Sequence, residues 1–568
     1  MKALRLLHTL RYLKPVQIWG RLSFAVKRKF FRPIIVASVK RQKISLPGKA
    51  FSLLLPKCYP QSSVQNLSER RFVFLHVPAD YHAGIRWNDG SKSKLWLYNL
   101  HYFEYLLPLT HEVGENNFNP ARSIIQDWLR NNPVGYGNGW EPYPISLRTV
   151  NWIFFYVAYR KFFRDDPAFE QNFLKSLYRQ IAYLNHFPEF HLLANHLWAN
   201  IKALLFGGIF FAQPHWLDKG ARLFLREADE QILADGGHFE RSPMYHALIL
   251  TDLIDLANLL QNSLPDEAAE FSHVQMLKEK VHARIPEMLR WLETMTHPDG
   301  EPALFGDTAF DIAPSLQEIK KYAQAVLKTD FSETPAFATV SLKDSGYYVK
   351  RTERFYLVID GGELGVSYQP GHAHCDLLSY ELSYKGLRFV VDSGVGEYLP
   401  TELRRKARSI YGHNTLVVNG LEQAEIWSAF RMGRRVHPEK AECKSEPVFT
   451  FQGAYSNRLK RKLAYRHQRR IEVRDTVNIT DQWQAASVKS VENLIHLHPQ
   501  CTVKAGPGYV QAERDGVGMR IVFPAHHVKA EIRDWFYVPE FGRVLAAKVL
   551  VLMPRASLSE MSYAIQGL

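Results

Sequence analysis

Acidic residues are missing from the first 68 positions of this chain, whereas 14 lysines and arginines occur there. The other 57 of the 71 basic residues are balanced by all 57 acidic residues, so the formal charge of +14 belongs to this N-terminal arm. A neutral body without recognition motifs for nucleic acid argues against a nucleic-acid-binding protein. The acidic partner that the arm predicts is therefore a polysaccharide or a membrane lipid.

Cysteine is scarce, and the arm lacks long apolar runs. The four cysteines, Cys58, Cys375, Cys443 and Cys501, have no paired spacing, which argues against a disulfide framework and a cysteine-type zinc site. No apolar run in the arm reaches 7 residues, which predicts neither a secretory signal nor a membrane span. We therefore expect a cytoplasmic protein.

The arm itself has the pattern of two basic amphipathic helices. Basic residues recur every three positions from Lys2 to Arg11 beside four leucines, and Pro15 suits the first turn of a second helix. Such an arm can lie on an anionic membrane surface, bind an acidic polymer, or pack against the body of the protein. The sequence leaves these three alternatives open.

Helical periodicity follows the arm, from about residue 96 to about residue 325. Apolar residues recur at spacings of three and four, with turn clusters between the segments, in 121–131, 145–163, 173–187, 196–211, 217–235, 245–260 and 274–296. Antiparallel helices in succession, without strands between them, predict a helical bundle or an α/α toroid.

The pattern changes near residue 335 to short runs of β-branched and aromatic residues. These runs predict strands at 347–350, 354–360, 379–384, 387–391, 416–418, 470–477, 490–497 and 549–552. We therefore predict an arm at 1–68, a helical domain at 69–334 and an antiparallel β-sandwich at 335–568. Ligands tend to bind where two such domains meet.

Two histidines lie one residue apart in the polar stretch from Tyr368 to Asp376. In a regular strand, His372 and His374 would point to the same face. Asp392 ends one apolar run and His413 precedes another, so His374, Asp392 and His413 could form the mixed nitrogen and oxygen site that zinc accepts. His372 would then stay free for proton chemistry. Histidines at strand ends are also common without a metal.

Two motifs in the helical half are too polar for simple packing. Asn195 and His196 open a long apolar helix, where backbone N–H groups favour an anion, although Asn195 can also act as a helix cap. The segment Asp235–His246 gathers Arg241 and Tyr245 in a loop before the next helix, which is either a polar site or a capping loop.

A third motif contains Trp140, Tyr143 and Arg148. These side chains suit stacking on a sugar ring and pairing with a carboxylate or sulfate group. A tryptophan and a tyrosine at the start of a helix are about as often core anchors.

Taken together, these motifs resemble those of the heparinase II/III-like polysaccharide lyases, a family that also includes alginate lyases. The resemblance covers nearly the whole chain from about residue 90, with five matching stretches in the same order: 195–196, 241–245, 371–374, 392–394 and 413–415. It implies an incomplete α/α toroid followed by antiparallel β-sheets, with the substrate in the groove between them. It also implies a divalent metal, usually zinc, at His374, Asp392 and His413, with a structural role.

The resemblance further implies β-elimination of a 4-linked uronic acid. Asn195, with His196 and Arg241 as further candidates, would bind the uronate carboxylate and stabilise the enolate-like intermediate. Tyr245 and His372 would share the base and acid roles, in an order that the sequence leaves open. Tyr398 lies near the position of an auxiliary tyrosine in some relatives.

Two other functions remain possible at this stage. A uronate C5-epimerase needs the same carboxylate neutralisation and the same pair of proton-transfer groups, because only the fate of the intermediate differs. A non-catalytic glycan-binding protein could keep the fold, although Tyr245 and His372 are both present. For a lyase that carries the basic arm, we expect a role in handling an acidic exopolysaccharide, capsule or lipopolysaccharide.

Overall fold

The computed structural model describes residues 2–44, 47, 51–57, 64–265, 271–331, 338–459, 462–555 and 558–568. Cys58 and the predicted domain boundary at 334/335 lie outside these residues. The fifteen α-helices of the described part are α1 Lys2–Leu10, α2 Pro15–Val26, α3 Arg32–Arg41, α4 Val64–Ser68, α5 Lys94–Tyr102, α6 Glu115–Asn131, α7 Pro142–Ala158, α8 Arg160–Arg164, α9 Pro167–His186, α10 Ala194–Phe210, α11 Pro214–Gln231, α12 Pro243–Asn262, α13 Ser272–Thr294, α14 Leu316–Leu327 and α15 Glu402–Arg408.

Short 3-10 segments at Glu104–His111, Asn138–Trp140 and Ile410–Gly412 and a π-turn at Lys27–Phe31 complete the helical structure of these residues. The strands are β1 Arg71–Phe74, β2 Val77–Asp80, β3 Ala338–Leu342, β4 Tyr347–Arg351, β5 Phe355–Asp360, β6 Tyr380–Tyr384, β7 Leu387–Val390, β8 Leu416–Val418, β9 Ala424–Trp427, β10 Arg431–Arg435, β11 Glu442–Lys444, β12 Phe449–Leu459, β13 Lys462–Val473, β14 Val477–Ala485, β15 Val491–Leu497, β16 Thr502–Gly506, β17 Tyr509–Arg514, β18 Val517–Val522, β19 Val528–Glu540, β20 Arg543–Pro554 and β21 Glu560–Gly567.

The helices from α5 to α14 share one apolar core, which the periodicity predicted. Each of the seven predicted helical segments overlaps these helices, although the segment 145–163 is divided between α7 and α8 at Tyr159 and the segment 217–235 extends beyond the end of α11 at Gln231. Trp128, Trp152, Trp198 and Trp216 are fully buried in this core. No described helix combines the length and the apolar character that a membrane-spanning segment needs.

The C-terminal half contains two large antiparallel sheets with an apolar core that draws on both, and a separate hairpin of β9 and β10. One sheet has eight strands in the order β11-β12-β13-β14-β21-β18-β17-β16. The other has nine strands in the order β19-β20-β15-β7-β6-β5-β4-β3, with β8 paired to β15. The prediction of a single strand at 470–477 is wrong. Val473 and Val477 pair across a tight hairpin that joins β13 to β14.

The arm packs against the body, which is one of the three alternatives that the sequence left open. From α1, His8 Nδ1 lies 2.6 Å from Glu425 Oε2 in the β domain. Lys14 forms an ion pair with Glu230 of α11, and its ammonium group lies 4.1 Å from the ring centroid of Tyr368. The arm therefore contacts both large domains, through these polar side chains and through Val36 and Val39 of α3, which are buried in the helical core.

Candidate active site and metal centre

His372 and His374 lie in the loop between β5 and β6, so the regular strand predicted for them is wrong. Both imidazoles nevertheless reach the same carboxylate: His372 Nδ1 and His374 Nε2 each lie 2.8 Å from an oxygen of Asp307. Gly306 has a positive φ of 56°, and a Cβ there would lie 2.9 Å from the backbone oxygen of His372. This close approach of the two loops therefore requires glycine.

Asp307 is fully buried and also accepts two hydrogen bonds from the guanidinium group of Arg404, one of them 2.8 Å long. Burial by itself raises the pKa of a carboxyl group, but Arg404, His372 and His374 together lower the pKa of Asp307 well below its usual range. An ionised Asp307 favours a proton on Nδ1 of His372, which leaves Nε2 as the acceptor on the other side of the ring.

Asn195 lies in the first turn of α10, as the sequence predicted, and faces this second nitrogen. Its Nδ2 donates to both carboxylate oxygens of Glu240, at 3.0 and 3.1 Å, and lies 3.5 Å from His372 Nε2. Leu193 and Ala194, just before it, have φ angles of 63° and 50°. Such backbone conformations cost about 1–3 kcal/mol each outside glycine and cluster at functional sites.

Tyr245 lies in the first turn of α12, where Ser242 accepts a hydrogen bond from its backbone N–H. Its ring centroid lies 4.0 Å from that of His372, and its hydroxyl lies 3.0 Å from the hydroxyl of Tyr398. Burial and the neighbouring Tyr398 raise the pKa of Tyr245 well above its usual range. The phenol therefore keeps its proton at neutral pH.

The three predicted metal ligands also meet. His374, Asp392 and His413 are buried, and each offers a ligand atom within 4.8 Å of those of the other two. Nδ1 of His374 and Nε2 of His413 are buried and have no hydrogen-bond partner within the described residues. Burial lowers the pKa of His374 to about 4, despite its hydrogen bond with Asp307, so its imidazole is neutral and able to bind a cation.

These features fit a divalent metal. Two nitrogens and one carboxylate are the donor set of many zinc sites, and the buried nitrogens without partners are satisfied when they bind a cation. Asp307, which accepts from the other nitrogen of His374, supplies the carboxylate that commonly orients a zinc-bound histidine.

His196 and Tyr143 continue the site along the helical domain. Their ring centroids are 4.4 Å apart, and His196 Nδ1 lies 3.2 Å from Glu189 Oε1. Burial lowers the pKa of a histidine, but Glu189 more than compensates, and the pKa of His196 is raised. Its cationic form therefore persists to higher pH than that of a free histidine.

Two other predicted site residues are bound by oxygens of the protein itself, and a third lines a cavity. Arg148 lies in the helical core, where it donates to Gln180 and to two backbone oxygens and does not face the groove. Arg241 donates to backbone oxygens of Ser345 and Gly365 and so connects the two domains. Trp140 is buried but lines a cavity next to His196.

The sequence did not predict three residues that surround His372, His374 and Asn195. They are Asp307, Glu240 and Arg404. Glu240 lies inside the motif that was recognised around Arg241 and Tyr245, and its place in that motif was the available signal. Asp307 and Arg404 carry no such signal, because their partners are 65 to 97 positions away in the chain.

Comparison with known proteins identifies the fold family. Residues 65–333 match the family model described as Heparinase II/III N-terminus, and residues 334–566 match Heparinase II/III-like, C-terminal. The chain belongs to the heparinase II/III-like family. Most of the basic arm precedes both matched regions.

Among relatives of this heparinase II/III-like chain, the heparin-sulfate lyase of Pedobacter heparinus is 25% identical over 381 residues, which are 60% of this chain and 54% of the relative. The heparin-sulfate lyase of Bacteroides thetaiotaomicron is 22% identical over 410 residues, 62% of this chain and 56% of the relative. The chain thus spans about half the length of the curated relatives it matches.

Solved structures of the family confirm the fold. A crystal structure of heparinase III superimposes with a TM-score of 0.70 at 16% identity, covering 98% of this chain and 92% of that one. Heparan sulfate lyase HepC from Pedobacter heparinus gives a TM-score of 0.57 at 19% identity, with coverages of 95% and 88%. The predicted incomplete α/α toroid followed by an antiparallel β-sandwich is therefore confirmed.

Proposed function

We propose that this protein is a polysaccharide lyase that cleaves a 4-linked uronic-acid-containing polysaccharide by β-elimination. The observation that carries the proposal is the meeting of Asn195, Tyr245 and His372 between the toroid and the β-sandwich. An amide donor, a protonated phenol and an imidazole with one nitrogen free to accept a proton are the groups that this reaction needs.

In this reaction the C5–H and C4–O bonds of the uronate break and a C4=C5 double bond forms. His372 Nε2 takes the C5 proton, and the Tyr245 hydroxyl gives its proton to the leaving oxygen at C4. The raised pKa of Tyr245 supports this division, because its phenol starts the reaction protonated. The orientation of His372 by Asp307 supports it as well.

Negative charge moves onto the uronate carboxylate when the C5 proton leaves. Asn195 donates to that charge, and His196, at the next position of the same helix, is the further candidate donor. Fixed donors aimed at developing charge lower a barrier most effectively; removing one such donor typically costs about 10²–10³-fold in rate.

We also propose that zinc or another divalent metal is held by His374, Asp392 and His413 and has a structural role. The metal would supply a fixed positive charge that joins the loop after β5 to the end of β7 and the start of β8. The unpartnered nitrogens of His374 and His413 support this proposal. Through Asp307, the same centre lies next to the loop that carries His372.

Ultraviolet absorbance of the unsaturated product tests the lyase proposal. We expect absorbance to rise when the purified protein is incubated with one of a panel of uronate polymers, such as heparan sulfate, alginate or hyaluronan. His372→Ala should abolish this rise, whereas Val488→Ala, an exposed change between β14 and β15, should not. If no polymer gives a rise but solvent deuterium enters C5 without chain cleavage, the protein is an epimerase.

A second proposal concerns the location of the protein: we propose that the arm lies on the anionic inner surface of the cytoplasmic membrane. Ten exposed large apolar side chains lie on α1, α2, the π-turn and α3, namely Leu6, Leu7, Leu10, Val16, Ile18, Trp19, Leu22, Phe30, Phe31 and Ile34. Trp19 is 70% exposed. Apolar patches of this kind mark interaction surfaces, and tryptophan is enriched where proteins meet lipid headgroups.

The charge of the arm supports a lipid partner. Arg21 is exposed among these apolar side chains, and the first 68 residues contain no carboxylate side chain. Anionic lipids attract such segments with roughly 1 kcal/mol per basic residue near the surface. A lyase held there meets an acidic polysaccharide during its synthesis or after its uptake.

Vesicle flotation tests the membrane proposal. The protein should float with vesicles that contain phosphatidylglycerol and remain unbound to vesicles of phosphatidylcholine alone. The double variant Ile18→Asp, Trp19→Asp should lower the bound fraction about tenfold or more, because each buried apolar side chain contributes about 1.5–3 kcal/mol. Val488→Asp, which alters an exposed valine far from the arm in sequence, should bind as the wild type does. Equal binding by all three proteins would contradict the proposal.

A further inference from the structure

The arm also forms one wall of a cavity next to the catalytic cluster. This cavity has a volume of about 240 Å³, and its lining includes Arg28 and Arg32 from the arm together with Tyr98, Trp140 and His196 from the helical domain. His196 directly follows Asn195 in α10. The cavity and the amide that faces His372 are therefore connected through adjacent residues of one helix.

The arm wall is held in place by close packing. A Cβ at Gly20 of α2 would lie 2.8 Å from the backbone nitrogen of His191, so the helix can approach this loop only with glycine. Phe24 and His191 have ring centroids 4.4 Å apart, and Lys27 donates to the backbone oxygen of His186 at 3.1 Å. These contacts fix the backbone of the segment that leads to Arg28.

Some of the cationic side chains in the cavity have a carboxylate partner and others do not. Lys94, on the opposite wall, is neutralised by Glu141 at 2.9 Å. Within the described residues, neither Arg28 nor Arg32 has a carboxylate at ion-pair distance, and Arg32 lies instead 4.2 Å from the ring centroid of Tyr136. Nε of Arg32 and Nδ1 of His191 are also buried, and neither has a hydrogen-bond partner among the described residues. Glu141 and Glu189 also line the cavity, but Glu141 pairs with Lys94 and Glu189 lies 3.2 Å from His196 Nδ1. The two arginines therefore remain without a carboxylate partner within the described residues.

We infer that this cavity is a subsite for an anionic substituent, a carboxylate or a sulfate, on the sugar unit next to the cleaved uronate. Arg28 and Arg32 bind that substituent, and Trp140 and Tyr98 form the walls against which the sugar lies. A guanidinium group suits this task because its planar N–H donors match carboxylate and sulfate oxygens. The volume lies below the roughly 300–1,000 Å³ of pockets for drug-sized ligands, which fits one substituted sugar and not several.

This inference rests on the proposed function, since it assumes an acidic saccharide in the groove, and it gives the arm a part in substrate selection. The two exposed sides of the arm then have different partners. The apolar side chains around Trp19 face lipid, whereas Arg28 and Arg32 face the saccharide.

Binding of uronate oligosaccharides without turnover tests the subsite. Titration calorimetry would use Tyr245→Phe as the parent, with Arg28→Gln and Arg32→Gln added singly and together. We expect each change to weaken binding about fivefold to tenfold, since a charge-assisted hydrogen bond is lost at a partly exposed position. Lys29→Gln is the matched control, because this exposed lysine follows Arg28 directly and does not line the cavity.

Matched sulfated and unsulfated oligosaccharides distinguish the two kinds of substituent. If sulfate is bound, the effect of the arginine changes appears only with the sulfated members; if carboxylate is bound, it appears with both. An equal loss of affinity in Lys29→Gln would show general electrostatic attraction and overturn the subsite, as would unchanged binding in the arginine variants or no binding by any oligosaccharide.

The outcome is separable from that of the lyase proposal. Binding that depends on Arg28 and Arg32, without any unsaturated product from the wild type, would leave the subsite standing and remove the elimination reaction. Product formation by the wild type, with unaltered binding in the arginine variants, would support the elimination reaction and overturn the subsite.

Discussion

Tyr245→Phe is expected to lower kcat about 10³-fold while the affinity for substrate changes no more than about threefold, since general acid–base groups contribute about 10²–10⁴-fold. The substitution removes only the hydroxyl that lies 3.0 Å from Tyr398, and it keeps the ring that packs 4.0 Å from His372. Initial rates of product absorbance and calorimetric titration of an oligosaccharide measure the two quantities separately.

Tyr398→Phe is the matched control for this prediction. It removes the partner of the same hydrogen bond but leaves the proposed proton donor in place, so we expect its kcat to fall about tenfold or less, the effect of one neutral hydrogen bond. A fall as large as that of Tyr245→Phe would mean that the tyrosine pair acts as a unit and would contradict a separate role for Tyr245.

Deuterium exchange then separates the acid from the base. If His372 takes the C5 proton and Tyr245 protonates the leaving oxygen, Tyr245→Phe in heavy water should still exchange hydrogen at C5, and His372→Ala should not. The opposite pattern would mean that Tyr245 is the base and His372 is the acid. Retention of exchange in both variants would contradict the assignment of either residue as the sole base.

Much of the catalytic cluster could be predicted because its residues belong to short motifs with known chemistry. Asn195 at a helix start, Tyr245 in the following motif and the His372–His374 pair were all recognisable, and the structure brings them together. The mistaken strand at His372 did not matter for this result. The two histidines are aligned because both contact the carboxylate of Asp307, and the two-residue period of a β-strand is not required.

The arm shows a different limit of sequence analysis. Its helices follow from their periodicity and are confirmed, but an amphipathic helix usually packs its apolar face against the body. Here His8 and Lys14 face inward, because Glu425 and Glu230 lie beneath them. Those carboxylates are hundreds of positions away in the chain, so the inward face could not be predicted from the arm alone.

Asp307 could not be predicted from the sequence for a related reason. It follows a glycine in a loop without periodicity, and nothing near it in the sequence suggests chemistry. Its importance comes from three long-range contacts, to His372, His374 and Arg404. One carboxylate thereby connects the proposed base to the proposed metal centre, which is a property of the fold.

The second large effect is expected from Asp307→Asn. This nearly isosteric change removes the charge that favours a proton on Nδ1 of His372, so the imidazole can present the wrong tautomer towards the substrate. We expect kcat to fall about 100-fold to 1,000-fold with little change in KM, because a base in the wrong tautomer affects proton transfer more than binding. Steady-state rates at saturating zinc measure this, since loss of such a carboxylate also weakens metal binding by roughly 10–100-fold.

Stability must be separated from catalysis in this test, because Asp307→Asn leaves Arg404 as an unpaired buried cation at a cost of about 3–5 kcal/mol. Arg404→Lys disturbs the same buried pair but keeps Asp307, so it should lower Tm while kcat stays within about tenfold of the wild type. If Arg404→Lys lost as much kcat as Asp307→Asn, the cause would be a disturbed fold and not the tautomer of His372.

Asp392→Asn provides the third comparison: elemental analysis should find less metal in it than in the wild type, whereas Asp307→Asn at saturating zinc should retain the metal. If metal were absent from the wild type as well as from Asp392→Asn, His374 and His413 would hold each other's loops without a cation, and the proposed zinc site would be wrong.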